Sequence, residues 1–72
     1  MTIQELEERI NAASLSRDRV ALLGLMPWVE FIEKENQRLK RVWPVGSGEY
    51  DRSIDIERRC DVLRDRIIDM MK

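Results

Sequence analysis

The chain has 72 residues, of which 38% are charged, and its 13 basic and 14 acidic side chains leave a net charge of −1. This balance excludes a general attraction to nucleic acid or anionic lipid, and the lack of any apolar run of about 18 residues excludes a membrane-spanning helix. With one cysteine and no histidine, the chain has no internal disulfide, no structural zinc site and no histidine-based catalysis.

The small size of the chain favours association. A domain of this length buries only about 60% of its unfolded surface, and its core supplies only ~3–5 kcal/mol. Disulfides and metals are not available as further sources of stability, so we expect a homodimer or a bound protein partner. The unpaired thiol of Cys60 and the acidic N-terminal segment predict a cytoplasmic protein without a signal peptide.

Helix 1 is predicted over residues 3–13. Thr2 followed three residues later by Glu5 is the pattern of a capping box at a helix N-terminus. An apolar stripe then recurs at helical spacing, and it consists of Ile3, Leu6, Ile10 and Ala13.

Helix 2 is predicted over residues 16–42, with Ser14 or Ser16 as its N-cap. Its first half, Val20–Ile32, is apolar nearly all round. Pro27 lies inside this stretch and removes one backbone donor, so we expect a kink or a break there.

The segment 43–50 is predicted as a loop because it combines proline, glycine and serine. Helix 3 is then predicted over residues 51–71. No repeat or linker divides the chain, so residues 1–72 form a single helical domain.

Two seams with the 4-3 spacing of a coiled coil predict that helices 2 and 3 form an antiparallel hairpin. The seam of helix 2 consists of Leu25, Val29, Ile32, Asn36, Leu39 and Trp43. The seam of helix 3 consists of Ile56, Cys60, Leu63, Ile67 and Met70. Folding at the loop brings them into one register, from Leu39 against Ile56 to Leu25 against Met70.

The layer of Asn36 against Cys60 has two readings. Asn36 either selects register and partner as a polar core residue, or lies near an edge and reaches water. Cys60 is interpreted as a buried packing residue without a chemical role.

Helix 2 carries more apolar side chains than its seam uses, and helix 1 is too short to cover them all. The surplus consists of Leu23, Met26, Trp28 and Phe31. We expect this surface to be a dimer interface or a docking site for another protein.

A metal site is not expected. Glu30 and Glu33 form an E-x-x-E pair, which resembles the magnesium-binding pair of the all-helical nucleotide pyrophosphatases when a later E-x-x-D completes it. Here Glu57 and Asp61 stand four residues apart, so the second half of that motif is missing. We identify no catalytic residue, metal ligand or cofactor-binding residue.

The loop end of the hairpin is a second candidate recognition surface. It combines residue types that dominate binding hot spots, namely Arg41, Trp43, Tyr50 and Arg52. Basic residues cluster at the same end, and they are Arg38, Lys40, Arg41, Arg52, Arg58 and Arg59, although acidic residues are interleaved with them.

Together these features predict a non-enzymatic protein-interaction module. We expect a small dimeric adaptor or inhibitor, of a kind typical of phage-encoded or bacterial regulators, that binds and sequesters a larger regulatory protein or enzyme. One alternative is a transcriptional regulator that binds nucleic acid through the arginine-rich hairpin end. The other is a structural subunit of a larger assembly.

Overall fold

The computed structural model describes residues 1–72 and contains three α-helices and no β-strand. The helices are α1 (Ile3–Leu15), α2 (Arg19–Lys40) and α3 (Gly48–Met71). This confirms the predicted all-helical class. The molecule is elongated, with extents of 40 × 20 × 15 Å, and none of the helices combines the length and apolar character needed to cross a membrane.

Helix α1 begins where the capping pattern predicts. The Thr2 hydroxyl accepts a hydrogen bond from the Glu5 amide at 3.2 Å, which satisfies one of the amides left free at a helix start. The stripe buried on this helix consists of Leu6, Ile10 and Ala13. The helix extends two residues past position 13, to Leu15.

A left-handed residue ends α1. Arg17 has φ of 56°, and the Asp18 amide donates to the Ala13 carbonyl at 2.9 Å, while the Arg17 amide donates to the Ser14 carbonyl at 3.2 Å. These two bonds form a Schellman motif, in which glycine is the usual left-handed residue.

Asp18, and not Ser14 or Ser16, is the N-cap of α2. Its carboxylate accepts from the Ala21 amide at 3.0 Å. The serine prediction is wrong because both serines belong to the end of α1. The Ser16 hydroxyl donates to the Ala12 carbonyl at 3.1 Å, and the Ser14 hydroxyl is buried without a hydrogen-bond partner.

Helix α2 continues through Pro27 without a break. Proline removes only the bond from its own nitrogen to the Leu23 carbonyl, and Pro27 is exposed, so its ring disturbs no core contact. Leu22 and Val29 are fully buried on either side of it. Burial of these two residues holds both halves of the helix in place.

The loop spans residues 41–47 and not 43–50, because α2 ends at Lys40, two residues before position 42, and α3 begins at Gly48 and not near residue 51. Ser47 is the N-cap of α3, and its hydroxyl accepts from the Tyr50 amide at 3.1 Å. The same hydroxyl donates to the Pro44 carbonyl at 2.7 Å. Ser47, which belongs to the predicted loop, is therefore the cap that starts α3.

The core lies where the three helices meet. Its buried apolar residues are Leu6, Ile10, Ala13, Leu22, Val29, Cys60, Leu63 and Ile67. Helices α2 and α3 make the most extensive contact, and α1 packs on both. Ion pairs join α2 to α3 at Lys40–Glu57, 3.0 Å apart, and at Glu33–Arg64.

The buried residues of α2 and α3 differ from the predicted seams in both directions. Leu39 is 39% exposed, since the last turn of α2 leaves one side of it open to solvent. Leu22 and Ser53 are fully buried although neither seam included them. Ser53 continues the second seam, seven residues before Cys60.

Asn36 is a buried polar residue. It is 6% exposed, and its side-chain amide donates to the Ser53 carbonyl at 2.8 Å. Of the two readings of Asn36, the structure therefore favours the polar core residue. Its bond joins α2 directly to the backbone of α3.

Candidate protein-interaction surface

The first half of α2 exposes a continuous set of apolar side chains. We call Val20, Leu23, Pro27, Trp28 and Phe31 the apolar face; all five are exposed, Val20 to 81% and Phe31 to 56%. The stretch 20–32 contains a single charged residue, Glu30. Isolated apolar residues are common on protein surfaces, whereas a group of them on one helix face is a candidate interaction site.

Two aromatic side chains form the centre of the apolar face. The rings of Trp28 and Phe31 lie edge to face, with centroids 6.2 Å apart and planes at 80°. With Pro27 they line a shallow, open depression of about 340 Å³. Exposed, mutually packed aromatic rings supply large contact area with little loss of side-chain freedom on binding.

An open groove lies beside the apolar face, between α1 and α2. It has a volume of about 570 Å³. Small and apolar side chains dominate its lining, namely Ala12, Ala13, Ala21, Gly24, Leu25 and Trp28, with Arg9, Ser16 and Asp18 completing it. A Cβ atom added at Gly24 would meet nothing within 4 Å. No contact inside the chain therefore requires glycine at this position.

Met26 does not belong to the apolar face, where the sequence placed it with Leu23, Trp28 and Phe31. It is half-buried and packs against the core. The reason is helical spacing, since Met26 follows Leu22 by four residues and precedes Val29 by three, and both of these are buried.

The remaining seam residues differ in depth. Val29, Asn36, Cys60, Leu63 and Ile67 are buried. Those that are only partly covered are Leu25, Ile32, Ile56 and Met70. The seams thus contribute both to the core and to the flank of the groove, where Leu25 lies.

The four residues predicted at the loop tip lie in three separate places. Trp43 is half-buried and lines a cleft of about 200 Å³ with Leu39 and Ile56. Tyr50 is half-buried elsewhere, with the Lys40 ammonium 5.7 Å from its ring centroid. Arg41 lies beside Tyr50 in a polar depression.

Arg52, the fourth tip residue, is exposed and lines none of these depressions. The structure therefore brings together Tyr50 and Arg41 but not the predicted group as a whole.

Half of the six basic residues near the tip are paired with carboxylates. Lys40 contacts Glu57, and this hydrogen bond raises the pKa of Lys40. Arg59 contacts Asp55 at 3.3 Å, and the third pair is Arg38 with Glu35 at 3.1 Å. These pairs reduce the positive potential that a phosphate backbone would meet.

No three side chains of the types that bind metals lie close enough to share an ion, and Glu33 of the E-x-x-E pair contacts Arg64. Burial raises the pKa of the Cys60 thiol to about 11, with the nearby carboxylate of Glu33 adding to the effect. A thiol in this state is protonated at neutral pH and is a poor nucleophile.

Comparisons of the chain with protein-family models, with curated proteins and with solved structures give no match.

Proposed function

We propose that the protein is a non-enzymatic protein–protein interaction module, a small dimeric adaptor or inhibitor that binds and sequesters a larger regulatory protein or enzyme. The observation that carries this proposal is the apolar face of α2, with the Trp28–Phe31 pair at its centre. We place the module in the cytoplasm, where an unpaired thiol such as Cys60 stays reduced.

The total surface of the chain supports this proposal. Its accessible area is 5197 Å², whereas a folded monomer of 8.6 kDa is expected to expose about 4,700 Å². The chain therefore exposes more surface than its mass requires. Part of this surface is the apolar face, which gains free energy when a partner removes it from water.

An antiparallel hairpin of α2 and α3 is the frame that we propose for this module. Two ion pairs support it, Lys40–Glu57 and Glu33–Arg64. The α2 members are seven residues apart and the α3 members are also seven apart, in opposite chain order, as antiparallel helices require. Leu39 and Ile56, which the register pairs, line one cleft.

The apolar face accounts for recognition better than the loop tip does. The tip separates Trp43 from Tyr50, and several of its cations already have carboxylate partners. The apolar face has no such internal partners, so binding there needs no existing contact to break.

Two matched variants test the proposed function. Phe31 on α2 and Val62 on α3 are almost equally exposed, at 56% and 57%. We expect Phe31→Glu to abolish association, measured both as self-association in analytical ultracentrifugation and as capture of partner proteins by the immobilised chain. Val62→Glu is expected to retain both, because it lies outside the apolar face.

Circular dichroism must first show that both variants keep the helical content of the wild-type chain. Association that persists in the Phe31→Glu chain, or a wild-type chain that neither self-associates nor captures a partner, would contradict the proposed function.

A further inference from the structure

We propose that the occupant of the apolar face is a second copy of this chain, with the two α2 helices antiparallel and Phe31 of each copy packed over Gly24 of the other. This inference rests on the proposed function and concerns the same surface, so the second copy and the larger protein target compete for the apolar face.

Gly24 is the first observation that carries the inference. It lies in the sixth position of a 22-residue helix, where glycine costs about 1 kcal/mol relative to alanine. Glycine is retained inside a helix when another group must approach closely, yet a Cβ atom here would meet nothing within the chain. No group of this chain uses the open space over Gly24, so that space is available to a side chain from outside the chain.

Phe31 supplies a side chain of matching shape. It is seven residues from Gly24, which is two helical turns or about 10.5 Å along the same side of the helix. Its side chain is more than half exposed, and its ring lies edge to face with that of Trp28. The exposed ring of Phe31 and the open space over Gly24 thus lie on the same side of α2, two turns apart.

A two-fold axis between two copies can place the Phe31 ring of each copy over Gly24 of the other. If the axis passes between Pro27 and Trp28, the antiparallel helices bring Phe31 of each copy level with Gly24 of the other. Both contacts then form at once, as an isologous interface requires. Each copy supplies both the Phe31 ring and the open space over Gly24. Two identical chains are therefore sufficient to form both contacts.

The charges of α2 are compatible with this arrangement. Glu30 is the single charged residue in the stretch 20–32. The same axis brings Glu30 level with Leu25 of the other copy, and it separates the two Glu30 residues by five positions, about 7.5 Å along the helices. No like charges are opposed within the apolar stretch.

The exposed surface of the chain can be compared with the area that a stable dimer buries. The excess of the 5197 Å² surface over the size expectation is about 500 Å². A standard stable interface buries about 800 Å² per partner. This excess is smaller than a standard interface, so we expect a reversible dimer whose population depends on concentration, and not an obligate one.

Substitution of Gly24 is the sharpest test. In sedimentation equilibrium over roughly 5 to 500 μM, we expect Gly24→Leu to raise the dimer dissociation constant at least about tenfold, because the leucine fills the gap that Phe31 enters. Val62→Leu on α3 is the control and should leave the dimer unchanged.

Misfolding cannot produce the result expected for Gly24→Leu. A side chain there meets open space in the monomer, and leucine favours helix more than glycine does. The urea midpoint of dilute Gly24→Leu protein should therefore equal or exceed that of the wild type. An unchanged dimer affinity in this variant would overturn the inference.

Disulfide trapping tests the antiparallel direction. In a Cys60→Ser background, a mixture of Gly24→Cys and Phe31→Cys chains should give mainly the mixed disulfide on mild oxidation, since the two positions face each other. Disulfides joining identical chains would predominate in a parallel dimer, and that result would overturn the inference.

The inference and the proposed function can fail separately. A wild-type chain that stays monomeric at the highest concentration, but captures another protein through Phe31, overturns the second copy as occupant and the dimeric state, and leaves intact the proposal that the apolar face binds a larger protein. Loss of both self-association and capture overturns both.

Discussion

At the scale of single residues, the contact between Asn36 and Ser53 shows how a polar layer can be built into a small core. The Asn36 amide donates to the Ser53 carbonyl at 2.8 Å, and both residues are buried. The hydroxyl of Ser53, in contrast, has no hydrogen-bond partner. Two neighbouring buried polar groups therefore have opposite effects on stability, one favourable and one unfavourable.

Alanine substitutions should separate these two effects. We expect Asn36→Ala to lower the free energy of unfolding by about 1–3 kcal/mol, because it removes a buried hydrogen bond and leaves a cavity. Ser53→Ala should be neutral or stabilise by about 0.5 kcal/mol, because it removes an unsatisfied hydroxyl and keeps the carbonyl. Urea unfolding measures both. Equal destabilisation by the two variants would show that packing, and not the hydrogen bond, matters at this layer.

Cys60 is expected to be unreactive in the folded chain. Burial raises its pKa to about 11, whereas an unfolded thiol titrates near 8.5. Because the folded pKa is the higher one, the associated stability is fully present below about pH 8.5 and is lost as the pH rises toward 11.

Alkylation by iodoacetamide at pH 8, followed by mass spectrometry, measures the reactivity of this thiol. Labelling of Cys60 should be slow in buffer and fast in urea. A Val45→Cys chain in a Cys60→Ser background is the control, since residue 45 is 83% exposed and should label quickly in both. Fast labelling of native Cys60 would contradict the expectation.

At the scale of elements, the junction between α1 and α2 carries a cost that one substitution removes. Arg17 adopts φ of 56°, a conformation that costs an L-residue roughly 1–2 kcal/mol and glycine almost nothing. After allowing for the greater unfolded freedom of glycine, we expect Arg17→Gly to stabilise the chain by about 0.5–1 kcal/mol.

Arg19→Gly is the matched control for this junction. The same change two residues later lies in the first turn of α2, where glycine should destabilise by up to about 1 kcal/mol. Thermal unfolding of the two variants should therefore shift in opposite directions. A shift in the same direction would show that loss of the arginine side chain dominates both effects.

The helices themselves follow from local patterns, which is why the all-helical class could be predicted. Thr2 and Glu5 give the start of α1, and helical spacing identifies its buried stripe. Pro27 was harder, because local propensity predicts a break whereas the burial of Leu22 and Val29 keeps α2 continuous. Tertiary packing outweighs a single proline, and a local pattern does not contain that information.

The candidate site was predictable only in part, for a similar reason. The excess of apolar residues on α2 indicated a surface, and Trp28 and Phe31 do lie on it. Met26 was misplaced because membership of the surface depends on which side of α2 faces the core. The open space around Gly24, from which we propose its role in the dimer, is a property of the folded chain that no sequence pattern records.

At the scale of the whole molecule, the three helices share a single small core. Only 10 of the 72 residues are buried, and α1 contributes Leu6, Ile10 and Ala13 to them. Loss of α1 packing therefore affects α2 and α3 directly. The short helix is a structural requirement for the surface that α2 presents, although it supplies no residue of the apolar face.

This dependence predicts a large effect of one substitution in α1. Leu6 is fully buried, and leucine-to-alanine changes at such sites cost about 2–5 kcal/mol, as much as the ~3–5 kcal/mol that a core of this size supplies. We therefore expect Leu6→Ala to be largely unfolded at about 5 μM by far-ultraviolet circular dichroism, and its helical signal to rise with concentration, since self-association stabilises the folded state by mass action. Leu15→Ala, in the same helix but at a residue that is 88% exposed, should match the wild type at every concentration. A Leu6→Ala chain that is fully folded when dilute would show that the isolated monomer has stability to spare, and would remove the energetic reason for association.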